Sequence, residues 1–415
     1  MSARRVLILL MLGWGLGAMC AGIVSGTLSL IKSDLHLTGE ETGRVLSSWS
    51  LGMLVGASLY GYFADRFGRR ISILVSTVGL GVFTSLSYIA RGWLDLSFYR
   101  ILAGASNAGY MVVASTMMSE FAPTYSRGRL VAILESSWAL GWLLALFLAR
   151  IIAPMYGWRP VFLTALSSIL LAMILYPTLP ESPRYLKLRK ELNSSSSVGE
   201  GAKNSMKSKG LASVSVWELL RPPYLRRTIM LWTHWFAIAL TYWGIFLWLP
   251  DMLNARGLGY AKSLEFSIII TLAQIPGYLS AAYLIEKAGR KPTLASYMLL
   301  GGLASIGVFM ASAQLDLLIW GSLVSFFNLG AWGVTYAYTP ELYPTRLRGT
   351  GSGWANSFGR IGGIIGPYAA GVLMQTFKDP LTPFSLFALM HIVSAFTVFT
   401  LGVETKGKPL EEVSP

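Results

Sequence analysis

The chain has 415 residues, 53% hydrophobic and only 13% charged, where a soluble domain carries about a quarter charged residues. With a mean hydropathy of +0.54, that balance excludes an ordinary soluble globular domain. The net charge of +14 would suit nucleic acid, but its placement along the chain argues against that partner, and one cysteine, Cys20, leaves no disulfide framework and no cysteine-based metal site.

The apolar residues come in runs of about 20, the length that crosses a bilayer core of ~30 Å at ~1.5 Å per helical residue. The first run, 6–31, follows Arg4 and Arg5 and has the outline of a signal peptide. It is longer than a typical signal core and many spans follow it, so it is read as the first membrane helix. Five more follow at 43–63, 71–90, 96–119, 130–152 and 160–179. Arg100 opens the fourth, where a gate ion pair and snorkelling to the interface are both open readings. Glu135 lies in the fifth, about 10 Å in by helical rise. It is a candidate to exchange a proton, or else a structural partner for nearby bases.

Residues 180–227 are polar and include "NSSSSVGEGAKNSMKSKG", a composition expected of a linker disordered in part. Six further spans are expected at 228–250, 264–285, 292–313, 317–340, 350–374 and 384–403. The chain thus reads as an all-α membrane protein of twelve helices in two six-helix bundles, 1–179 and 228–403, with the linker at 180–227 and a tail at 404–415.

With both termini cytoplasmic, 24 of the 34 Lys and Arg residues fall on the cytoplasmic side, eight fall outside, and Arg100 and Arg360 lie within spans. The positive-inside rule accounts for that asymmetry. The two halves also repeat. "GYFADRFGRR" (61–70) answers to "AYLIEKAGRK" (282–291), and "EFAPTYSRG" (120–128) to "ELYPTRLRG" (341–349), both with an offset of 221. Asp65, Gly68 and Arg69 therefore match Glu286, Gly289 and Arg290, while Glu120 and Arg127 match Glu341 and Arg348. Parallel repeats place a site between the halves near the midplane. An acid at the end of its own helix, such as Asp65 or Glu286, opposes that helix's dipole unless it faces the N-terminus of a neighbour. These loops, with Arg66, read either as a breakable latch or as plain helix-end solvation.

Arg360 sits within "SGWANSFGRIGGIIGP", roughly half a core thickness into its span. A central arginine costs about 2.5–3.5 kcal/mol on insertion scales and usually faces a cavity or a partner. Its planar fork of donors suits a carboxylate. The alternative is an arginine satisfied by backbone carbonyls or an internal acid. Asn356 and the aromatic residues Tyr110, Trp138, Trp142, Tyr242, Trp243, Trp332 and Tyr336 are candidates for the rest of a pocket around a planar ring, or for membrane-core packing. His234, without a nearby acid, reads as a packed neutral histidine.

These motifs, with "LPESPRYL" (179–186, holding Glu181 and Arg184) and "VETKGKPLEE" (403–412, opening on Glu404), resemble signatures of the major facilitator superfamily, and the last two resemble its sugar-porter side. "LESSWALGWLLA", "YGWRPVF", "YWGIFLWLP" and "RGTGSGWANSFGRIGGIIGP" are similar to a branch of metabolite:proton symporters that includes nicotinate-type and aromatic-acid carriers and is related to synaptic-vesicle and organic-ion transporters. The resemblance implies transport by alternating access, and an arginine in span eleven of related anion carriers. It also implies acids at positions where this chain has Gly17, Cys20 and Tyr110, and a sugar-binding glutamine where it has Trp142. Those departures weaken hexose transport and proton coupling through span one.

The expected function is transport of a small organic solute, foremost an aromatic or heteroaromatic monocarboxylate, possible proton coupling resting on Glu135. A sugar or polyol carrier and a non-transporting solute sensor are the rivals. The partners are the lipid bilayer and a small solute, with protons as a further candidate, and not nucleic acid. The protein is expected to be a monomer in the plasma membrane with cytoplasmic termini, to need no cofactor or metal, and not to be an enzyme.

Overall fold

The structure, a computed structural model, describes residues 3–123, 127–187 and 216–407; the middle of the expected linker and the end of the tail lie outside the described residues. Twelve long helical rods make up the described chain. They are α1 (Ala3–Asp34), α2 (Gly39–Phe67), α3 (Arg69–Ile89), α4 (Trp93–Phe121), α5 (Arg127–Tyr156), α6 (Arg159–Thr178), α7 (Leu225–Leu253), α8 (Tyr260–Lys287), α9 (Arg290–Phe309), α10 (Gln314–Glu341), α11 (Thr345–Phe377) and α12 (Pro383–Leu401). They run longer than the apolar spans because polar turns at each end extend them beyond a bilayer core. Helix starts repeat with the sequence offset: Gly39 with Tyr260, Arg69 with Arg290, Trp93 with Gln314.

Ten of the rods are long and apolar enough to cross a membrane by composition alone; α2 and α11 are not among them. Both are rich in glycine and polar residues because they pack backbone to backbone. A methyl group at Gly52 would meet the Ile101 carbonyl of α4 at 2.0 Å, and one at Gly366 would meet the Leu240 carbonyl of α7 at 2.3 Å. Within each half, α2 packs most extensively on α4 and α11 on α7; between the halves, α2 meets α11, α1 meets α7 and α5 meets α8.

Short connections make successive helices antiparallel, so one end of the bundle, the terminal face, carries Ala3, the flanks of the linker and the chain's end. At this face the halves are built alike. Gly68 and Gly289 take φ of 104° and 107°, a region that strains any side chain. Each lies against a carboxylate. Glu181 accepts from the backbone N–H groups of Arg69 and Arg70 at 3.0 and 3.3 Å, and Glu404 accepts from those of Arg290 and Lys291, both at 3.0 Å. These acids hold the positive N-termini of α3 and α9. That corrects the expectation for Asp65 and Glu286, which are exposed and pair with Arg69 and Arg290 four residues on, at 3.1 and 3.2 Å.

The same arginines reach Glu120 at 3.6 Å and Glu341 at 3.2 Å. Arg348 is not the partner of Glu341; it donates to the Pro340 carbonyl at 3.0 Å. The side chain of Arg127 lies outside the described residues. Arg66 lies over the ring of Phe67, and Arg184 is exposed. Each of these ion pairs stays within one half.

Arg100 and His234, both singled out from sequence, are buried in the interior. Arg100 is fully buried in the first half, donating to the carbonyls of Cys20 and Ala21 at 2.9 and 3.2 Å with its guanidinium over the Trp49 ring at 4.2 Å. It thus makes neither a gate ion pair nor an interface contact. His234 is packed between the hydroxyls of Ser394 and Thr335, each at 2.7 Å.

Candidate substrate cavity

Between the halves lies a cavity with about 590 Å³ of empty space, part of it open to solvent. Its first-half wall comes from Trp14 on α1, Met53 on α2, Met111 on α4, and Glu135 and Trp138 on α5. The second half supplies Tyr242 and Trp243 from α7, Tyr278 from α8, Leu329, Trp332 and Tyr336 from α10, and Arg360 from α11.

Helical register explains the placement of Arg360. It is fifteen residues inside α11, roughly 22 Å at ~1.5 Å per residue, close to the helix midpoint. Its Nη1 points at the Met53 sulfur at 3.4 Å. Among the described residues neither Arg360 nor Glu135 makes an ion pair. A guanidinium without a carboxylate partner keeps most of its five donors for a ligand.

The aromatic side chains form a connected wall. Trp138 donates its indole N–H to the Tyr242 hydroxyl at 2.8 Å, a bond that joins the halves at the cavity. Trp138 meets Trp243 edge-on at 6.0 Å, Tyr242 meets Trp332 at 6.0 Å, and Trp332 stacks on Tyr336 at 5.7 Å. Trp332 keeps a buried indole N–H without a partner among the described residues. Flat faces with a few inward polar atoms suit a planar ligand with a polar edge.

Seven of the residues singled out from sequence meet here: Arg360, Glu135, Trp138, Tyr242, Trp243, Trp332 and Tyr336. Trp142 stands behind them, buried and touching the rings of Trp138, Tyr242 and Trp243. Tyr110 lies in the core of the first half, its hydroxyl donating to the Leu10 carbonyl at 2.7 Å. Asn356 is half-buried one turn from Arg360 towards the terminal face, off the cavity wall. Sequence reasoning missed Trp14, Met53, Met111, Tyr278 and Leu329. Two of these had a signal: the offset of 221 pairs Met111 with Trp332 and Trp14 with Trp235, whose ring meets Trp332 at 5.5 Å.

Among the described residues, the ties that close the cavity lie at one end. At the face opposite the termini, Lys32 of α1 pairs with Asp251 of α7 at 2.7 Å, and Arg150 of α5 pairs with Glu265 of α8 at 2.9 Å. Ser25 donates to the Phe246 carbonyl at 2.7 Å. Those two residues are repeat equivalents, as expected where α1 and α7 meet at the pseudo-axis. Tyr260 donates to the Gly26 carbonyl at 2.9 Å, Tyr368 to Glu40 at 3.1 Å, the Glu40 N–H to Gln375 at 2.9 Å and Ser47 to the Ile364 carbonyl at 2.5 Å. At the terminal face, among the described residues, no hydrogen bond or ion pair joins the halves.

Two six-helix bundles around one cavity, sealed on one side by breakable ties, define a membrane carrier. The chain belongs to the Major Facilitator Superfamily, whose sequence profile matches residues 10–367 and 266–414. It is 36% identical to the niacin transporter NiaP of Acinetobacter baylyi, covering 97% of this chain and 94% of that one. It is 38% identical to a provisionally named niacin/nicotinamide transporter NiaP of Bacillus subtilis, covering 99% and 98%. Its fold matches the inward-open xylose transporter XylE of E. coli with a TM-score of 0.80 over 99% of both chains, at 20% identity. The chain is a multi-pass transporter of a small organic solute and not an enzyme.

Proposed function

We propose that the protein carries a small aromatic or heteroaromatic monocarboxylate across the membrane by alternating access. The observation that carries this reading is Arg360, a guanidinium with no ion-pair partner among the described residues, on the wall of an aromatic cavity. A carboxylate accepts two parallel N–H bonds from that fork, and the rings around it stack on a planar ligand. The niacin transporters among the relatives support it, since niacin is an aromatic ring bearing one carboxyl group. Among the lining residues there is no Asn or Gln to bind sugar hydroxyls bidentately, so the sugar reading is the weaker one.

The excess of basic residues supports a cytoplasmic terminal face, and we take the membrane to be the plasma membrane, with the cavity here opening inward. The division at 1–179 and 228–403, with the linker and tail between and after, lets each half move as one body, and one chain suffices for the cycle. Arg69 with Glu120 and Glu181, and Arg290 with Glu341 and Glu404, then stiffen each half at its cytoplasmic end. Opening outward breaks the ties of the opposite face. At about 0.5–1.5 kcal/mol each, they are of the size that keeps two states within reach of a ligand's binding energy. Glu135 is the membrane-embedded acid placed to take up a proton during the cycle.

The test is uptake of labelled nicotinate, benzoate and glucose into proteoliposomes, with and without an inward proton gradient. The reading requires uptake of an aromatic acid that Arg360→Ala abolishes. Glucose uptake that ignores Arg360→Ala would overturn it. Acceleration by the gradient that Glu135→Gln removes would support coupling through that residue.

A further inference from the structure

Two opposite charges share the cavity, and they come from different halves. The offset of 221 sets Glu135 level with Asn356, and Arg360 lies four residues further into α11. At ~1.5 Å per residue Arg360 is therefore about 6 Å deeper than Glu135. They also make no ion pair with each other, so whatever occupies the cavity lies between them. No hydrogen bond joins the Glu135 carboxyl to a described residue; the groups within electrostatic reach are the phenols of Tyr278 and Tyr336. Its repeat counterpart, Asn356, lies off the wall, so the acid is not part of the shared scaffold.

We propose that Glu135 is a specificity residue that holds the ring nitrogen of an aromatic acid whose carboxylate is held by Arg360. The cavity then takes a nitrogen-heteroaromatic monocarboxylate in preference to its all-carbon counterpart. This inference rests on the anion reading of Arg360 given above.

The chemistry is a matched pair at each end of one planar molecule. A ring with a carboxylate on one side and an acceptor on the other, with a hydrogen bond of about 2.8 Å at each end, joins one group from each half across the shared cavity. One proton lies between the Glu135 carboxyl and the ring nitrogen. It bonds them whether the carboxyl donates to the nitrogen or a protonated ring donates to the carboxylate. A C–H at that position leaves a desolvated carboxyl with no partner. Sites built to hydrogen-bond a ligand atom reject analogues lacking it far more strongly than apolar pockets reject a change of shape. The ring faces of Trp138, Trp332 and Tyr336 cannot tell the two rings apart, because both are flat and of one size. Discrimination therefore falls to the polar atoms of the wall, and we assign it to Glu135, the acid among the lining residues, over the Trp332 indole N–H.

The experiment is competition binding on the purified protein with pyridine-3-carboxylate and benzoate, repeated for Glu135→Leu and Glu135→Gln. The wild type should favour the pyridine acid at least tenfold. Leucine should bring the ratio close to one, while glutamine, whose amide N–H still donates to a ring nitrogen, should keep most of it. Pyridine-2-carboxylate, with its nitrogen beside the carboxylate, should bind the wild type no better than benzoate, and this arm needs no variant. A wild-type ratio of one with both acids bound, an unchanged ratio in Glu135→Leu, or tight binding of the 2-isomer would each overturn the role of Glu135 and leave the anion reading standing. Failure of every aromatic acid to bind the wild type would overturn the anion reading, and this inference with it.

Discussion

Glu181 and Glu404 hold the N-termini of α3 and α9 through near-identical contacts of 3.0–3.3 Å and 3.0 Å, whereas at the cavity the halves are alike at a few positions only. Applying the offset of 221 to the wall sets Arg360 against Ala139, Tyr242 against Ala21, Trp243 against Gly22, Tyr278 against Ala57, Trp138 against Gly359 and Trp142 against Gly363. At these positions a large residue in one half answers to a small one in the other, whereas Trp14 with Trp235, Met53 with Gln274 and Met111 with Trp332 are large in both. The loops are under the same geometric demand twice, a tight turn and a helix N-terminus to neutralise. The wall is under a different demand, because two equal sets of large side chains would fill the space a ligand needs.

Breaking the asymmetric part should cost most. Arg360→Ala removes the cation that the described residues place on the wall, and loss of a charge-assisted pair of about 2–3 kcal/mol predicts roughly a 30- to 150-fold weakening of aromatic-acid binding by titration calorimetry. An unchanged affinity would mean that the carboxylate sits elsewhere.

The closed face comes next. Asp251→Leu breaks the Lys32 ion pair, and a loss of about 1–2 kcal/mol should shift the population severalfold to roughly 30-fold towards the state open at that face. Spin labels placed on α1 and α7 near this pair would report a longer distance; no change would assign closure to backbone packing.

The symmetric part offers a matched pair of variants. Glu181→Ala and Glu404→Ala should each lower stability by about 1–2 kcal/mol, the usual size of a helix cap, and by similar amounts in thermal unfolding. A cost in one half alone would sink the equivalence drawn above. Smallest is Trp138→Phe, which keeps the ring and loses the bond to Tyr242. One neutral hydrogen bond of about 1 kcal/mol predicts roughly a fivefold change in uptake rate.

The fold was legible because two short motifs share one offset, and apolar length does the rest. Arg360 stood out as a charge in a run of small apolar residues. Other parts of the site needed the packing. Periodicity says which residues share a helix face but not which face fronts the cavity, so Tyr110 and Trp142 were indistinguishable from Trp138 until α4 and α5 were placed. Met111 and Trp14 were reachable by carrying the offset over to the aromatic positions. Met53, Tyr278 and Leu329 carry no such mark, since an ordinary Met, Tyr or Leu in a span reads as packing. Glu181 and Glu404 stood in recognisable motifs, yet their seats on α3 and α9 lie more than a hundred residues away in the chain.

The meagre apolarity of α2 and α11 bears on how the protein is made. A segment leaving the translocon partitions into lipid by its own composition, and these two fall short of that on their own. Their glycines lie against α4 and α7. For α11 the partner is already synthesised when it emerges, but α2 emerges two spans before α4. Biogenesis of the first half should therefore stall with α2 held at the translocon until α4 arrives, and glycosylation mapping of truncated chains ending after α3 and after α4 would show α2 inserting efficiently only in the longer one.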